Sequence, residues 1–432
     1  MAPDGLRARH DRILGDATPL FYDEPLELTE GDGVWLHTAD GDRYLDVYNN
    51  VPCVGHGNTR VAEAMYQQAR TLNVHSRYLH QGVIEYGERL LGLHHDQFES
   101  VVFACSGSEA IEIALMMARG ATGGRGIIGT DATYHGNTEE VSKLTRLSSV
   151  NASSPHPEFR SIPTPQLFRP LAPGLTDTEL TALYLSELET QIAAFEADGV
   201  GFAGMIACSI MANEGLPRIP AGFMEGAVEL VHEAGGLFIA DEVQAGFARS
   251  GRWWGYQTSG FEPDIVAMGK PMGNGLPVSG VTASHELVSG FRRTRRYFNT
   301  YAGSPLQAAA GNAVLEEIES GDLVSQVSRV GAHLRAGLDA LEHPALADVR
   351  GHGLFIGVEW VTDPDSNTPD PDGAARVVEA MRQRGILMGQ AGQHRNVLKV
   401  RPPLVFNDEH ADLFLDAFSD AIDAVPATSV RA

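Results

Sequence analysis

The middle of the chain alternates short apolar runs with segments of helical period, and this alternation limits the possible folds most strongly. Each run is followed by small or polar residues. The runs cover residues 101–104, 126–129, 205–210, 237–240 and 265–268. Strands that alternate with helices predict a mostly parallel sheet covered by helices on both faces. The predicted fold class is therefore α/β.

The alternation stops after Pro305, where long helices and a few strands follow. We therefore predict a large domain over residues 61–305 and a small C-terminal α/β domain over residues 306–432. Residues 1–60 are predicted to form an N-terminal segment and part of the small domain. This segment includes a hairpin with its turn at Asp40 and Gly41.

The overall charge and the cysteines exclude several classes of function. A formal net charge of -24 disfavours nucleic acids and anionic membranes as partners. The three cysteines have no CxxC spacing, so neither a disulfide framework nor a metal site is expected. The chain has no secretory signal pattern and no apolar run of the ~20 residues that a membrane span needs. We therefore predict a cytoplasmic protein.

Three predicted strand ends carry residues that could bind a ligand or take part in catalysis. Ligands in open α/β sheets bind beyond the carboxyl ends of the strands. The first end is Ser106-Gly107-Ser108, between a predicted strand and a predicted helix over residues 109–119 that Gly120 should end. Small residues and the unpaired N–H groups of a first helical turn can hold a phosphate. The alternative is an ordinary turn. An ATP-type phosphate loop is disfavoured, because the GxxxxGK[ST] pattern is missing.

The other two ends are Asp241 and Lys270. Burying a carboxylate is costly unless it is paired, and a protonated pyridine nitrogen is a suitable partner for Asp241. A helix cap or a structural ion pair is the alternative. Desolvation favours the neutral amine of Lys270, which is the nucleophile that an imine requires. The alternative is a solvated surface lysine. A phosphate cradle, a buried acid and this lysine together match the contacts of pyridoxal 5'-phosphate (PLP).

Five motifs carry a resemblance to class III aminotransferases of PLP fold type I, which extends over about residues 20–418. They are SGSEA at 106–110, YHG at 134–136, ADEVQ at 240–244, MGK at 268–270 and NTY at 299–301. The resemblance implies a fold type I enzyme with a large domain and a smaller domain built from both chain ends. It implies that Lys270 holds PLP as a Schiff base and that Asp241 binds the pyridine nitrogen.

The resemblance also implies the remaining cofactor contacts. They are those of Ser106, Gly107 and Ser108 with the phosphate, of Gln244 with the ring hydroxyl, and of Val243, Tyr134 and His135 with the ring. Thr300 is implied to reach the phosphate bound in the neighbouring subunit. A homodimer with shared active sites follows from this contact.

A narrower resemblance connects the chain with the ethanolamine-phosphate phospho-lyase branch. It rests on NNV at 49–51, VGH at 54–56, SRYLH at 76–80, MGKPMGNG at 268–275 and HRNVLKVRPP at 394–403. Many aminotransferases of this class bind the substrate carboxylate with an arginine three positions before a Pro-Pro pair, where this chain has Lys399. A lysine grips a planar carboxylate less well but can serve a phosphate. Arg401, Arg77 and Tyr22 are predicted helpers; a solvated strand face is the alternative for Lys399 and Arg401.

We therefore predict a PLP-dependent phospho-lyase that removes phosphate from a phosphorylated amine, such as O-phosphoethanolamine, and yields an aldehyde and ammonia. Lys270 would act as the general base. The alternatives are an aminotransferase that uses a keto acid and a PLP-binding regulatory protein. Cys208 and Met211 stand where relatives carry glutamate and glutamine, and Ile111 replaces an asparagine. These departures concern substrate identity more than cofactor binding.

Overall fold

The computed structural model describes residues 5–145, 156–363 and 365–425. The strands, numbered along the chain, are β1 Leu28–Asp32, β2 Trp35–Thr38, β3 Arg43–Asp46, β4 Ser100–Ala104, β5 Gly126–Thr130, β6 Phe159–Ile162, β7 Phe202–Cys208, β8 Leu237–Asp241, β9 Ile265–Met268, β10 Ser279–Ala283, β11 Leu346–His352, β12 Phe355–Asp363, β13 Thr368–Pro369, β14 Ile386–Leu387, β15 Gly389–Ala391 and β16 Val397–Val400.

The helices are Leu6–Leu14, Thr59–Thr71, Gln81–Leu91, Gly107–Thr122, Glu139–Ser142, Asp177–Ala197, Phe223–Glu233, Gly255–Ser259, His285–Thr294, Pro305–Ser320, Leu323–Asp339, Pro371–Gln383 and Asp408–Asp423. A 3₁₀ helix, Lys270–Gly273, follows β9.

The largest sheet has seven strands in the order β4-β10-β9-β8-β7-β5-β6. Strand β10 is antiparallel to both of its neighbours, and the other pairs are parallel. The prediction of a mostly parallel sheet is therefore confirmed. The carboxyl ends of β7, β8 and β9 lie at one edge, where the polar residues that follow them can meet.

Both faces of this sheet are buried, and successive residues of a strand show it. Phe238 and Ala240 in β8 belong to one apolar cluster, whereas Ile239 belongs to a second cluster with residues of the helix Gly107–Thr122. In β9, Val266 belongs to the first of these clusters and Ile265 to the second. A strand buried on both faces needs apolar residues at every position, which explains its uninterrupted apolar sequence.

The helix after β4 differs from the prediction at its end. It runs from Gly107 to Thr122 and passes through Gly120, so the prediction that Gly120 ends it was wrong. A methyl group on Gly120 would meet no atom within 4 Å, and the helix tolerates this residue. The helix ends at Gly123, whose φ of 75° is the left-handed conformation that glycine adopts at helix C-termini.

Two smaller sheets complete the fold. One has the order β1-β2-β3-β14, and its antiparallel pair β2 and β3 confirms the hairpin predicted around Asp40 and Gly41. Strand β14 pairs in parallel with β3, so this sheet joins distant parts of the chain. The other sheet has the order β11-β12-β16-β15, with β13 paired to β12. The division into domains at residues 60 and 305 stays a prediction.

Two further properties bear on the sequence analysis. Cys53, Cys105 and Cys208 are all free thiols. Within the described ranges, no helix is both long enough and apolar enough to cross a membrane.

Candidate active site

The turns that follow β4, β8 and β9 meet at one point. A methyl group built on Gly107 would lie 3.0 Å from Cγ1 of Val243, and one built on Gly269 would lie 3.3 Å from Cα of Gly107. Two strands separate β4 from β8 in the sheet, so the turns themselves bring these residues together. Larger side chains at Gly107 and Gly269 would fill this cradle, which explains the glycines.

The turn Ser106-Gly107-Ser108, which is predicted to hold the phosphate, lies at a helix N-terminus. The Ser106 hydroxyl accepts a hydrogen bond from Glu109 N at 3.2 Å and caps the helix. The Ser108 hydroxyl accepts one from Asn137 N at 3.0 Å. At Gly136, with φ of 148°, an added methyl group would lie 2.4 Å from Ser108 Oγ. The loop with Tyr134 and His135 is thereby held against a helix end suited to anions.

Asp241 ends β8 and is buried in a network of hydrogen bonds. Its Oδ2 lies 2.7 Å from His135 Nδ1, and its Oδ1 accepts from Val243 N at 2.9 Å. The other ring nitrogen of His135 lies 3.0 Å from Thr133 Oγ1. These contacts favour the tautomer with the proton on Nδ1, which donates to the carboxylate. The network fixes the carboxylate at the sheet edge.

Lys270 follows the neighbouring strand and begins the 3₁₀ helix Lys270–Gly273. Its φ is 27°, a left-handed conformation that a non-glycine residue adopts at a cost, often at a functional site. Burial lowers the pKa of its amine, and the nearby Asp241 carboxylate partly offsets this effect. The neutral amine is therefore favoured, as nucleophilic or general-base chemistry requires.

Lys399 in β16 and Arg401 just after it form a pair of buried cations, with 5% and 6% of their surface exposed. Lys399 Nζ lies 3.4 Å from Oε1 of Gln244, and Arg401 Nη1 donates to the same oxygen. In the part of the chain that the structure describes, neither cation forms an ion pair with a carboxylate. The alternative of a solvated strand face was therefore wrong.

The electrostatics of this pair favour an anionic ligand. Burial, together with Arg401, holds the pKa of Lys399 well below its usual range. Burial also lowers the pKa of Arg401, although its Nε donates to Tyr48 O at 3.0 Å. Buried charges are stable only when they are compensated. An anion beside both side chains would supply the missing compensation.

The other predicted substrate contacts, Tyr22 and Arg77, have partners of their own. The Tyr22 hydroxyl donates to Met388 O at 3.2 Å. Arg77 is exposed, and its guanidinium carbon lies 4.0 Å from the centre of the Phe298 ring. Among the described residues, no hydrogen bond joins Tyr22 or Arg77 to Lys399 or Arg401. Their roles stay predictions.

Thr300 is exposed and lines a cavity of about 630 Å³. Tyr78, with 65% of its surface exposed, and Tyr301, with 73%, line the same cavity. Exposed aromatic residues that gather at one place are typical of a surface that another molecule covers. This arrangement is compatible with the predicted contact of Thr300 with a neighbouring subunit.

The loop after β7 contributes residues that the sequence analysis missed. Asn213 Nδ2 donates to Tyr134 O at 3.0 Å, and Asn213 Oδ1 accepts from Gln244 Nε2 at 2.9 Å. The buried carboxylate of Glu214 accepts from Thr130 Oγ1 at 2.8 Å, and burial raises its pKa. Both residues follow a buried strand, which is the signal that identified Asp241.

The three departures from the family pattern are all buried. Cys208 Sγ lies 3.8 Å from Asp241 Oδ2, and burial raises the pKa of this thiol well above its usual range. Met211 and Ile111 belong to apolar clusters. Cys208 therefore places a neutral thiol beside Asp241.

One known protein family matches most of the chain. The family described as Aminotransferase class-III matches residues 21–422. The chain belongs to this family. The prediction of fold type I is thus confirmed, and so is the resemblance stated above.

Relatives of this member of the class III aminotransferase family carry two kinds of name. An alanine–glyoxylate aminotransferase 2-like protein of Drosophila melanogaster is 35% identical over 430 residues, covering 97% of this chain and 86% of the relative. Ethanolamine-phosphate phospho-lyase homolog 1 of Caenorhabditis elegans is 33% identical over 423 residues, with 94% and 90% covered. The structure of an Arthrobacter phospholyase in complex with phosphoethanolamine has 41% identity and a TM-score of 0.94, covering 98% of this chain and 100% of that one.

The cofactor is pyridoxal 5'-phosphate, as predicted, and the site fits it. The glycine cradle at Gly107 and Gly269 leaves space for a planar ring beside Val243. Asp241 offers a buried carboxylate to a pyridine nitrogen, and the amine of Lys270 lies beyond the adjacent strand. The helix that begins at Gly107 offers N–H groups to a phosphate. The individual contacts of the predicted residues stay predictions.

Proposed function

We propose that this class III aminotransferase family member is a phospho-lyase that removes phosphate from a phosphorylated amine such as O-phosphoethanolamine. The observation that carries the proposal is the buried pair Lys399 and Arg401, which faces one amide oxygen and has no carboxylate partner among the described residues. Phosphate carries more charge than a carboxylate and benefits more from two cations. The likeness to a phospholyase in complex with phosphoethanolamine supports the same substrate class.

Each proposed residue has a task in this reaction. PLP, once bound, supplies a ring that accepts the electron pair left on carbon when a proton departs. Lys270 Nζ takes that proton from the carbon that bears nitrogen. Asp241, oriented by His135, stabilises a proton at the ring nitrogen. Lys399 and Arg401 bind the phosphate and stabilise the charge that it carries away with the electrons of the broken C–O bond.

The products follow from the balance of atoms. After phosphate leaves, water hydrolyses the remaining two-carbon fragment to an aldehyde and ammonia. No keto acid is consumed in this sequence, because no amino group is retained. An aminotransferase would instead hold the amino group and need a keto acid to remove it. The requirement for a keto acid therefore separates the two functions.

The test is incubation of the enzyme with O-phosphoethanolamine in the absence of any keto acid. We expect repeated release of phosphate and aldehyde, with the cofactor remaining in its aldehyde form by absorbance. Lys399→Met serves as the matched variant, because it should keep the cofactor and lose most phosphate release. Conversion of the cofactor to its amine form without phosphate release would contradict the proposal.

The second candidate is an amino-group transfer to a keto acid. It is supported by the 35% identity to an alanine–glyoxylate aminotransferase 2-like protein. The Lys399 and Arg401 pair also offers donors to a carboxylate, although without the bidentate fork of a single arginine. Activity that appears only with an amino donor and a keto acid such as glyoxylate would favour this candidate.

We further propose that the enzyme acts as a homodimer in which Thr300 of each subunit reaches the cofactor phosphate of the other. The exposed Thr300 and the aromatic residues around its cavity support this arrangement. Without the second subunit, one side of the phosphate site would be open to water. The predicted cytoplasmic location stays a prediction.

A further inference from the structure

The Gln244 side chain has only one possible orientation. An arginine side chain donates hydrogen bonds and cannot accept them, and Arg401 Nη1 contacts the Gln244 amide. The Gln244 atom that faces Lys399 and Arg401 must therefore be its oxygen. Its nitrogen then donates to Asn213 Oδ1 at 2.9 Å. The amide thus lies between two basic side chains on one side and a neutral acceptor on the other.

The orientation of Asn213 follows in turn. Because its Oδ1 accepts from Gln244, its Nδ2 must be the donor to Tyr134 O, which lies 3.0 Å away. Its backbone carbonyl accepts from Gly392 N at 3.0 Å. Asn213 thus connects the loop after β7 with the Tyr134 loop, with Gln244 and with the chain after β15. The side chain has a single fixed hydrogen-bonding pattern.

Two basic side chains that lie close together repel each other when both are protonated, and they then separate unless something holds them. The Gln244 oxygen is the acceptor that Lys399 and Arg401 share, and Asn213 is the anchor of Gln244. Arg401 has a second anchor in Tyr48 O, whereas Lys399 Nζ has only the 3.4 Å contact with Gln244 among the described hydrogen bonds. The amine also lies 5.7 Å from the centre of the Phe355 ring, so Gln244 is the hydrogen-bond acceptor on which the position of Lys399 depends.

We propose that Asn213 is a positioning residue for the anionic group of the substrate. It holds the Gln244 oxygen where it keeps Lys399 and Arg401 side by side, with their remaining N–H groups directed to one anion. The inference rests on the proposed function, since it assigns the pair to the substrate's anion. Binding sites gain affinity when a second layer of hydrogen bonds fixes their contacting groups before the ligand arrives.

The test measures binding rather than turnover. Inorganic phosphate is titrated into the cofactor-loaded enzyme by calorimetry, so that the cofactor's own phosphate site is filled. Four proteins form a double-mutant cycle: wild type, Asn213→Ala, Gln244→Ala and the double variant. Asn312→Ala, which removes a hydrogen-bonded asparagine side chain at Arg89, is the matched control. Cofactor absorbance and thermal unfolding check that each protein is loaded and folded.

We expect Asn213→Ala to weaken phosphate binding by roughly tenfold, the size of one lost hydrogen bond in a charged network. In the Gln244→Ala background the same substitution should have no further effect. A loss of equal size in both backgrounds would overturn the inference, because Asn213 would then act through Tyr134 or the loop. Unchanged binding in Asn213→Ala would overturn it as well. Asn213→Ser, a smaller change with the same expectation, replaces Asn213→Ala if that variant does not fold.

The outcomes also separate this inference from the proposed function. Wild-type enzyme that binds phosphate but releases none from O-phosphoethanolamine would contradict the phospho-lyase and leave the role of Asn213 in place. Wild-type enzyme that binds no phosphate would overturn the role of Asn213. Normal phosphate release with no coupling between Asn213 and Gln244 would overturn the inference alone.

Discussion

His135 Nδ1 lies 2.7 Å from Oδ2 of Asp241, and both side chains are buried. The carboxylate also accepts from Val243 N, so both of its oxygens are occupied at the strand end. A carboxylate held in this way keeps its direction when a ligand arrives, and it loses little entropy on binding. The pair therefore prepares Asp241 for the cofactor ring.

The first prediction concerns this pair. Asp241→Asn should reduce turnover by about 100-fold, since a buried hydrogen bond to a charged group contributes about 3 kcal/mol. His135→Leu should reduce it by only about tenfold, because Val243 N still holds the carboxylate. Steady-state kinetics with saturating PLP measures both. Equal losses in the two variants would contradict the proposed division of roles.

The second prediction concerns Lys270. Lys270→Ala should lose the covalent adduct with PLP and at least about 100-fold in activity, because the general base is removed. Borohydride reduction followed by mass spectrometry detects the adduct in wild type and not in the variant. Lys143 directly follows the helix Glu139–Ser142 and lies outside the site, so Lys143→Ala is the lysine control. An adduct that persists in Lys270→Ala would exclude Lys270 as the attachment point.

The third prediction uses the lowered pKa of Lys399. Burial favours the neutral amine, and an anion binds best when the amine is protonated. Affinity for sulfate, whose charge is constant from about pH 6 to about pH 9, should therefore fall as the pH rises through the pKa of Lys399. In Lys399→Arg the charge persists and the profile should be flatter. Calorimetry at several pH values measures this, and identical profiles would refute it.

The fourth prediction concerns Glu242, which points away from the site. Its carboxylate accepts from Gly255 N and Tyr256 N, both at 2.8 Å, and burial raises its pKa from 4.5 to about 7. The folded state therefore binds this proton more tightly than the unfolded state. The resulting stabilisation is fully present below about pH 4.5 and is lost as the pH rises through about 7.

The measurement is urea unfolding of wild type and Glu242→Gln across this pH range. Between pH 4.5 and pH 7, the wild type should lose about 2–3 kcal/mol of its free energy of unfolding relative to Glu242→Gln. Above pH 7 the difference between the two proteins should stay constant. Only the slope is diagnostic, because a constant offset reports the altered hydrogen bonds. A difference that does not vary with pH would contradict the raised pKa.

The fifth prediction tests the proposed dimer. Leu79 is 99% exposed and follows Tyr78, which lines the cavity of Thr300. If a second subunit covers this surface, Leu79→Asp should shift the protein towards monomers and weaken its hold on PLP. Light scattering and cofactor retention report the two effects. Leu413→Asp, at a leucine 49% exposed on the helix Asp408–Asp423, should change neither.

The sheet and the cofactor site were predictable from the sequence, and the substrate site only in part. Asp241 and Lys270 each follow a strand that is buried on both faces, and such strands have an unmistakable apolar sequence. The burial of Lys399 was not predictable from β16, because a charged residue in a short strand usually indicates a solvent-exposed face, whereas all four residues of this strand are buried. Asn213 and Glu214 were missed for a related reason: their partners are far away in sequence. The end of the helix at Gly123 depended on backbone conformation rather than on residue type.

The pairing of β14 with β3 has a consequence for the order of events during synthesis. Strand β3 leaves the ribosome more than three hundred residues before β14. Until then one edge of the hairpin remains open, and the cations of β16 do not yet exist. A nascent chain thus completes the sheet around Asp241 long before it acquires the means to recognise an anion. Truncation before β16 should therefore remove Lys399 and Arg401, and with them the selectivity for a charged substrate, while the strands around Asp241 remain in the chain.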